Sequence, residues 1–314
     1  ITKEYIMNKL KKVGLTALAT TLVASSAYAG EMSVSGSASL NYSGISTSSD
    51  VNPWTMGDSV TFSGGGDLDN GMTVGVSYEL DGGNYDDYKL TLGLGDGLGT
   101  VTFSGDSVNA GGVDTVKDMI PNAYTPVYEN TNSTDNGLAT TTGRTTTGMW
   151  GYAVSAAGFD ISLGYNQVPA AATSAESSIG IKYSDLMDGL TVGFGRMDDS
   201  DTAENDTMGV TYTMGSMTAG YQITKVDYEA KATADQDATH LGISLAVNEN
   251  FSVSAGRQSI EIDNTTEDEV NSGISASYTM GSITIAGGLN SVDSAGGSAG
   301  SDAEAAMLNL AFAF

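Results

Sequence analysis

The chain has 314 residues, a formal net charge of −26 and no cysteine, a length that fits either two ordinary domains or one closed β-barrel. The missing cysteine excludes thiolate metal sites, disulfides and cysteine nucleophiles, and the acidity excludes a nucleic-acid partner because the chain would repel phosphates. Forty-one glycines against four prolines favour many short strands and turns.

Residues 1 to 29 are predicted to be a secretory signal peptide. Three lysines follow Met7, an apolar stretch runs from Val13 to Ala24, and Ala27-Tyr28-Ala29 fits a small-x-small cleavage pattern. Met7 is the expected initiator because residues 1 to 6 fit no part of such a signal. Cleavage would leave Gly30 as the first residue and 30–314 as one domain.

The first segment after this leader alternates between apolar and polar residues. Met32, Val34, Leu40 and Tyr42 share one parity, and serines fill most of the other, which predicts a β-strand with one apolar face. The alternation returns in the segments 72–80, 88–94, 159–165, 241–247 and 308–314. No later segment approaches eighteen consecutive apolar residues, so a membrane crossing would have to use strands.

Connections between these segments alternate between tight and long. Seven tight turns are predicted, at 69–71, 95–97, 157–158, 187–189, 214–216, 248–250 and 280–282. Eight longer polar stretches are predicted near 44–57, 82–86, 107–143, 167–176, 198–206, 229–237, 262–269 and 291–303. Fifteen connections join sixteen strands, and an outer-membrane barrel places its short turns in the periplasm. A soluble sandwich would show the same alternation with its apolar parity turned inward.

Aromatic residues of the apolar parity cluster near the tight turns and the chain end: Tyr152, Phe159, Tyr183, Tyr212, Phe251, Tyr278 and Phe314. This placement is typical of a periplasmic aromatic girdle. Four other tyrosines are candidates for the opposite belt: Tyr42, Tyr78, Tyr88 and Tyr165.

The chain resembles the Gram-negative general diffusion porins, and the alphaproteobacterial members look closest. The resemblance rests on the leader, the sixteen inferred strands, a longest loop after the fifth strand, and a final strand that ends Leu308-Asn309-Leu310-Ala311-Phe312-Ala313-Phe314. It implies an all-β, sixteen-stranded transmembrane barrel in the outer membrane, a homotrimer, contact with membrane lipid and lipopolysaccharide, and recognition of Phe314 by the outer-membrane assembly machinery.

The resemblance also implies that the third outer loop folds into the barrel and narrows it. The candidate constriction residues are Asp106, Asp114, Lys117, Asp118, Glu129 and Asp135. Because acids predominate, and because a charged ring between low-dielectric walls focuses the field, we expect a preference for cations.

Strand parity places five further residues on the pore wall: Glu79, Asp87, Lys89, Lys182 and His240. Lys89 and Lys182 are the best candidates for a wall that opposes the loop. The parity of Arg144, Arg196, Lys225 and Arg257 is ambiguous, and the first two strands lack the bases that the best-known family members carry there.

No enzyme is expected. His240 is the only histidine and the chain has no G-x-S-x-G motif, so neither a catalytic histidine nor a serine hydrolase is indicated. No cofactor is implied. Acidic runs at 198–201 and 267–269 offer oxygen ligands for Ca²⁺, but they lack the EF-hand spacing and are better explained as solvated charge. A secreted β-rich adhesin and a substrate-specific outer-membrane channel remain as alternative functions.

Overall fold

The computed structural model describes residues 32–47, 52–82, 84–105, 111–129, 131, 133, 148–167, 175–199, 203–229 and 234–314. The predicted signal peptide and its boundary at residue 29 lie outside these ranges and stay predictions.

Sixteen strands form the structure, as predicted: β1 Ser33–Ile45, β2 Trp54–Asp67, β3 Thr73–Asp81, β4 Asn84–Gly93, β5 Thr100–Gly105, β6 Met149–Ala156, β7 Phe159–Asn166, β8 Glu176–Tyr183, β9 Leu190–Asp199, β10 Ala203–Met214, β11 Met217–Tyr228, β12 Gln236–Ala246, β13 Phe251–Ile262, β14 Glu269–Met280, β15 Ile283–Asp293 and β16 Ala303–Ala313. Two short 3-10 helices, Gly112–Thr115 and Ala295–Gly297, lie in connections. In the described ranges, no helix is long and apolar enough to cross a membrane.

The sheet closes on itself. Each strand pairs antiparallel with its neighbours in sequence, and β1 pairs with β16, so that Ala38 faces Phe312 and Leu40 faces Leu310. The chain end completes this seam, because Gly36 and Phe314 exchange two backbone hydrogen bonds of 2.8 and 2.9 Å. Closure leaves no unpaired sheet edge, which is the condition for crossing a membrane with strands.

All seven predicted tight turns connect consecutive strands. Ala157 and Gly158 both have positive φ, 51° and 77°, as the mirror-image turn that matches the twist of a β-hairpin requires.

Two of the predicted long loops are wrong. The stretch 82–86 is mostly strand, because β3 ends at Asp81 and β4 begins at Asn84. A bulge sets the register there, with Glu79 opposed by two residues of β4. The stretch 198–206 belongs mainly to the ends of β9 and β10. Polar composition does not mark the ends of the strands here, because the hydrogen bonds between strands continue beyond the part of the sheet that carries apolar side chains.

The two faces of the sheet differ in character. Leu241, Ile274 and Leu289 are 57–58% exposed, whereas His240, next to Leu241, is 8% exposed. Side chains of the apolar parity are exposed along most of the described strands. A soluble sandwich would bury that parity, so the sandwich interpretation is wrong, and this face suits hydrocarbon.

Aromatic side chains flank this apolar face at both ends. Near the tight turns, the rings of Phe159 and Tyr183 are 4.3 Å apart. At the opposite end, the rings of Tyr42 and Trp54 are 5.1 Å apart, and Trp150 faces Tyr165 in the ladder. These positions agree with the two predicted aromatic belts and mark the two edges of the apolar face.

Candidate functional site

The β5–β6 connection packs on the polar face of the sheet, which is the face opposite the exposed apolar side chains. Residues 111–129, 131 and 133, here called the third-loop segment, begin with the 3-10 helix Gly112–Thr115, which contacts β7, β8 and β9. Farther along, Asn290 of β15 donates hydrogen bonds to the carbonyl oxygens of Pro126 and Glu129, at 2.9 and 3.1 Å. The segment therefore spans the polar face from β7 to β15.

Glycines on that face make room for the segment. A Cβ on Gly180 would lie 2.4 Å from the carbonyl oxygen of Gly112, and one on Gly220 would lie 2.5 Å from Cδ of Pro121. Gly220 is in register with Gly242, and Gly242 with Gly256. Sequence composition associates glycine with turns, and only the alternation along each strand could have revealed these inward positions.

Buried amide side chains hold the segment at its two ends. One register row crosses β11 to β14 and consists of Gln222, His240, Gln258 and Asn271, all nearly inaccessible. Gln222 accepts a hydrogen bond from the Met119 amide at 2.9 Å and donates to the Lys117 carbonyl. Asn271 accepts one from the Thr131 hydroxyl at 3.4 Å. Except for His240, sequence reasoning missed this row, because its members look like ordinary polar-face residues.

Apolar contacts reinforce the attachment. Val113, Val116 and Met119 form a buried cluster with Met197 of β9. Because these residues share contacts with the glycine-lined wall, the segment is packed against the sheet as well as hydrogen-bonded to it.

The charged groups of the segment are concentrated in its first half. Lys117 Nζ lies 2.7 Å from Asp114 Oδ1 and 4.0 Å from Asp118 Oδ2, and the Tyr128 hydroxyl donates to Asp118 Oδ1 at 3.3 Å. The ammonium is thus held by two carboxylates of its own segment, and Glu129 is exposed. The predicted constriction residues Asp106 and Asp135 lie outside the described residues.

Burial and a neighbouring acid both act on the Tyr124 phenol. Burial first, and the negative charge of Glu129 second, raise the pKa of Tyr124 above its usual 10.0. Both causes favour the neutral phenol over the phenolate.

The predicted wall residues fall into two groups. His240 and Lys182 lie on strands beneath the segment. The His240 ring stacks on Tyr128 with centroids 5.8 Å apart, and Lys182, in register with Asp160, lines a cavity of about 460 Å³ beside Thr115.

Glu79, Asp87 and Lys89 lie on β3 and β4, outside the strands that the segment covers. Lys89 is in register with Ser77 on one side and Ser104 on the other. The structure therefore brings Lys182 close to the segment and leaves Lys89 on the wall away from it.

The bases of ambiguous parity lie on the apolar side of the sheet. Arg196 Nη2 is 2.6 Å from Glu204 Oε2, and Lys225 Nζ is 2.9 Å from Asp237 Oδ1. Arg257 is in register with exposed Leu241, and cross-strand partners share a face. None of these three bases is on the polar face, while Arg144 lies outside the described residues.

The polar face of β1 and β2 carries hydroxyl groups and no Lys or Arg. Ser33 and Ser63 are hydrogen-bonded at 2.7 Å, and Ser37 and Ser59 at 3.1 Å. This wall without bases agrees with the absence of Lys and Arg that the sequence indicates for the first two strands.

Comparison with known proteins assigns the family. A profile of the Gram-negative porin family matches residues 14–314, and the whole described barrel lies within that match. The chain belongs to the Gram-negative porins. A comparison with curated protein sequences found no significant match.

Solved structures share the fold of this porin at low sequence identity. A porin refined at 1.8 Å resolution superposes with a TM-score of 0.66 at 18% identity, covering 90% of this chain and 100% of that one. An anion-selective porin from Comamonas acidovorans gives 0.65 at 14%, with 91% and 100% covered. OmpT of Vibrio cholerae in its trimer form gives 0.68 at 14%, with the same coverage. The porin is thus an outer-membrane β-barrel.

Of the acidic runs considered for Ca²⁺, residues 198, 199 and 267–269 lie in the described ranges. Among the described residues, no group of three or more carboxylate or imidazole side chains could hold a metal ion. Glu269, which the sequence places in an outer loop, begins β14 and is completely buried. Its carboxylate oxygens accept hydrogen bonds from Ser133, Asn271 and Gly296, and composition alone does not reveal these contacts.

Proposed function

We propose that this porin is a water-filled channel for passive diffusion of small hydrophilic solutes and ions, that the third-loop segment narrows it from within, and that it prefers cations. The inward position is supported by the two faces of the sheet. The apolar face suits lipid, so the face that the segment covers is the lumen side. A segment in that position restricts the aqueous path.

The charges of the segment carry the proposed cation preference. Its described residues contain three carboxylates (Asp114, Asp118 and Glu129) and one ammonium (Lys117), so the net charge is +1 − 3 = −2. Lys117 is already paired with two of the acids. Such a site lowers the energy of a passing cation and raises that of an anion.

The charges on the rest of the pore wall also favour cations over anions. Arg196, Lys225 and Arg257 lie on the lipid side, and β1 and β2 offer hydroxyl groups to the lumen. Lys89 and Lys182 are the described wall bases, but Asp160 is in register with Lys182. Anion selectivity would require more basic charge at the narrowest level.

Assembly and partners follow from the fold family. Since OmpT of Vibrio cholerae is described in a trimer form, we propose a homotrimer that contacts lipid and lipopolysaccharide in the outer membrane. Phe314, which is 77% exposed, is the proposed signal for the assembly machinery. We propose no enzymatic activity and no cofactor, and Ca²⁺ at the outer loops stays a weak alternative that a calcium titration of thermal stability would test.

Planar-bilayer recording tests the proposal. The purified porin should give stepwise, ohmic conductance without an energy source, and the double variant Asp114→Asn/Asp118→Asn should reduce cation preference measured as reversal potential. Asp263→Asn/Asp268→Asn removes two charges from an exposed outer loop and is the matched control. Equal reversal potentials for all three proteins would refute the role of the segment.

A substrate-specific channel is the remaining alternative. Such a channel should bind one class of solute, so that this solute blocks the ion current in a saturable way. A general pore should show only weak, non-saturating reductions across neutral solutes of similar size.

A further inference from the structure

Glu269 is hydrogen-bonded to two loops from different parts of the chain. It begins β14 and is 0% exposed. Its Oε1 accepts hydrogen bonds from the Ser133 hydroxyl and, at 2.8 Å, from the Asn271 amide. Its Oε2 accepts one from the Gly296 backbone amide, also at 2.8 Å. One carboxylate therefore holds the third-loop segment and the last outer loop.

The last outer loop is shaped to make this contact. Gly296 and Gly297 have φ of 63° and 68°, left-handed values that glycine adopts without steric penalty. The short helix Ala295–Gly297 contacts β13 and β14, and Thr265 fills the space where a Cβ on Gly297 would lie. The Gly296 amide is thereby turned toward Glu269.

Asn271 extends the connection beneath the segment. Its amide nitrogen also lies 2.9 Å from the Ser133 hydroxyl and 3.1 Å from Gln258 Oε1. The far end of the segment is thus joined to the buried register row, and Glu269 is where that row meets the outer loop.

We propose that Glu269 is a positioning residue that fastens the end of the third-loop segment to the last outer loop and so keeps the constriction at constant width. This inference rests on the proposed pore function. The carboxylate suits the task because both of its oxygens accept hydrogen bonds, whereas an amide accepts at only one of them. Either orientation of a glutamine at 269 would turn its NH₂ toward the donors of one loop.

Glu269→Gln tests the proposal, with Asp268→Asn as the control, because Asp268 is the exposed neighbour in sequence. Amide hydrogen exchange at Gly296 should accelerate in Glu269→Gln in either orientation of the amide, because Gly296 then faces a neutral oxygen or an NH₂ group instead of a carboxylate. The factor expected when a hydrogen bond to a charged acceptor is lost is about tenfold. Brief partial closures of the single channel should rise by about the same factor, and both quantities should be unchanged in Asp268→Asn.

Ser133→Ala separates fastening from folding. It removes only the hydroxyl on the segment side, so it should increase partial closures and leave exchange at Gly296 unchanged. If Glu269→Gln fails to fold, a Ser133→Ala channel without additional partial closures overturns the proposal. If Glu269→Gln folds, unchanged amide exchange at Gly296 together with an unchanged frequency of partial closures overturns it. If the unmodified porin forms no channel, the proposed function fails, while the exchange measurement still tests the fastening.

Discussion

Gly180→Ala should narrow the pore by pushing the third-loop segment away from its wall. The added Cβ would lie 2.4 Å from the Gly112 carbonyl oxygen and 2.4 Å from Thr115 Oγ1. Ordinary non-bonded contacts are near 3.5 Å, so the segment must move by about 1 Å. Overpacking of this kind destabilises a protein by about 1–3 kcal/mol. Gly180 does not have a positive φ, so the effect of the added methyl group is steric.

Single-channel conductance at fixed salt measures this displacement. Gly180→Ala should conduct less than the unmodified porin, with normal heat-modifiable migration on a gel. Gly288→Ala is the matched control, since its Cβ would meet neighbours only at 3.4 Å, and it should conduct normally. An unchanged or larger conductance in Gly180→Ala would show that the segment does not rest on this strand.

Three further predictions use other contacts of the segment. Gln222→Met should increase open-channel current fluctuations, because the buried Met119 amide loses its acceptor at a cost of about 1–3 kcal/mol; steady current would contradict this. Lys117→Met should strengthen cation preference in reversal-potential measurements by changing the segment charge from −2 to −3, whereas Arg257→Met, on the lipid side, should not change it. The pKa of Tyr124 is raised above 10.0, so the neutral phenol stabilises the fold below pH 10 and this stabilisation is lost as the pH rises through the shifted pKa. Fluctuations of the open-channel current should therefore increase at high pH. Tyr124→Phe should remove this pH dependence of the fluctuations.

The fold could be predicted from the sequence because each of its determinants is local. Alternation in segments such as Met32 to Tyr42 defines a strand with two faces, and turn residues such as Ala157-Gly158 define the hairpins. Closure between β1 and β16 agrees with the even number of strands that the turns and loops predict. The exceptions near 82–86 and 198–206 arose because polarity marks exposure to water and not the end of a backbone ladder.

The site was less predictable because it depends on contacts between distant parts of the chain. The acids of the third-loop segment are visible in the sequence, but the pairing of Lys117 with Asp114 and Asp118 is not required by it. Gln222 and Glu269 carry no pattern that separates them from other polar residues. Arg196 could not be assigned because the acids that hold it on the lipid side come from the next strand.

The sign of the reversal potential tests the central claim most directly. The purified, unmodified porin in a planar bilayer with a potassium chloride gradient should give a potential of the sign expected for potassium permeating faster than chloride, because the segment carries a net negative charge. A potential of the opposite sign would contradict the account, and the anion-selective porin from Comamonas acidovorans shares this fold, so the fold alone does not determine the outcome.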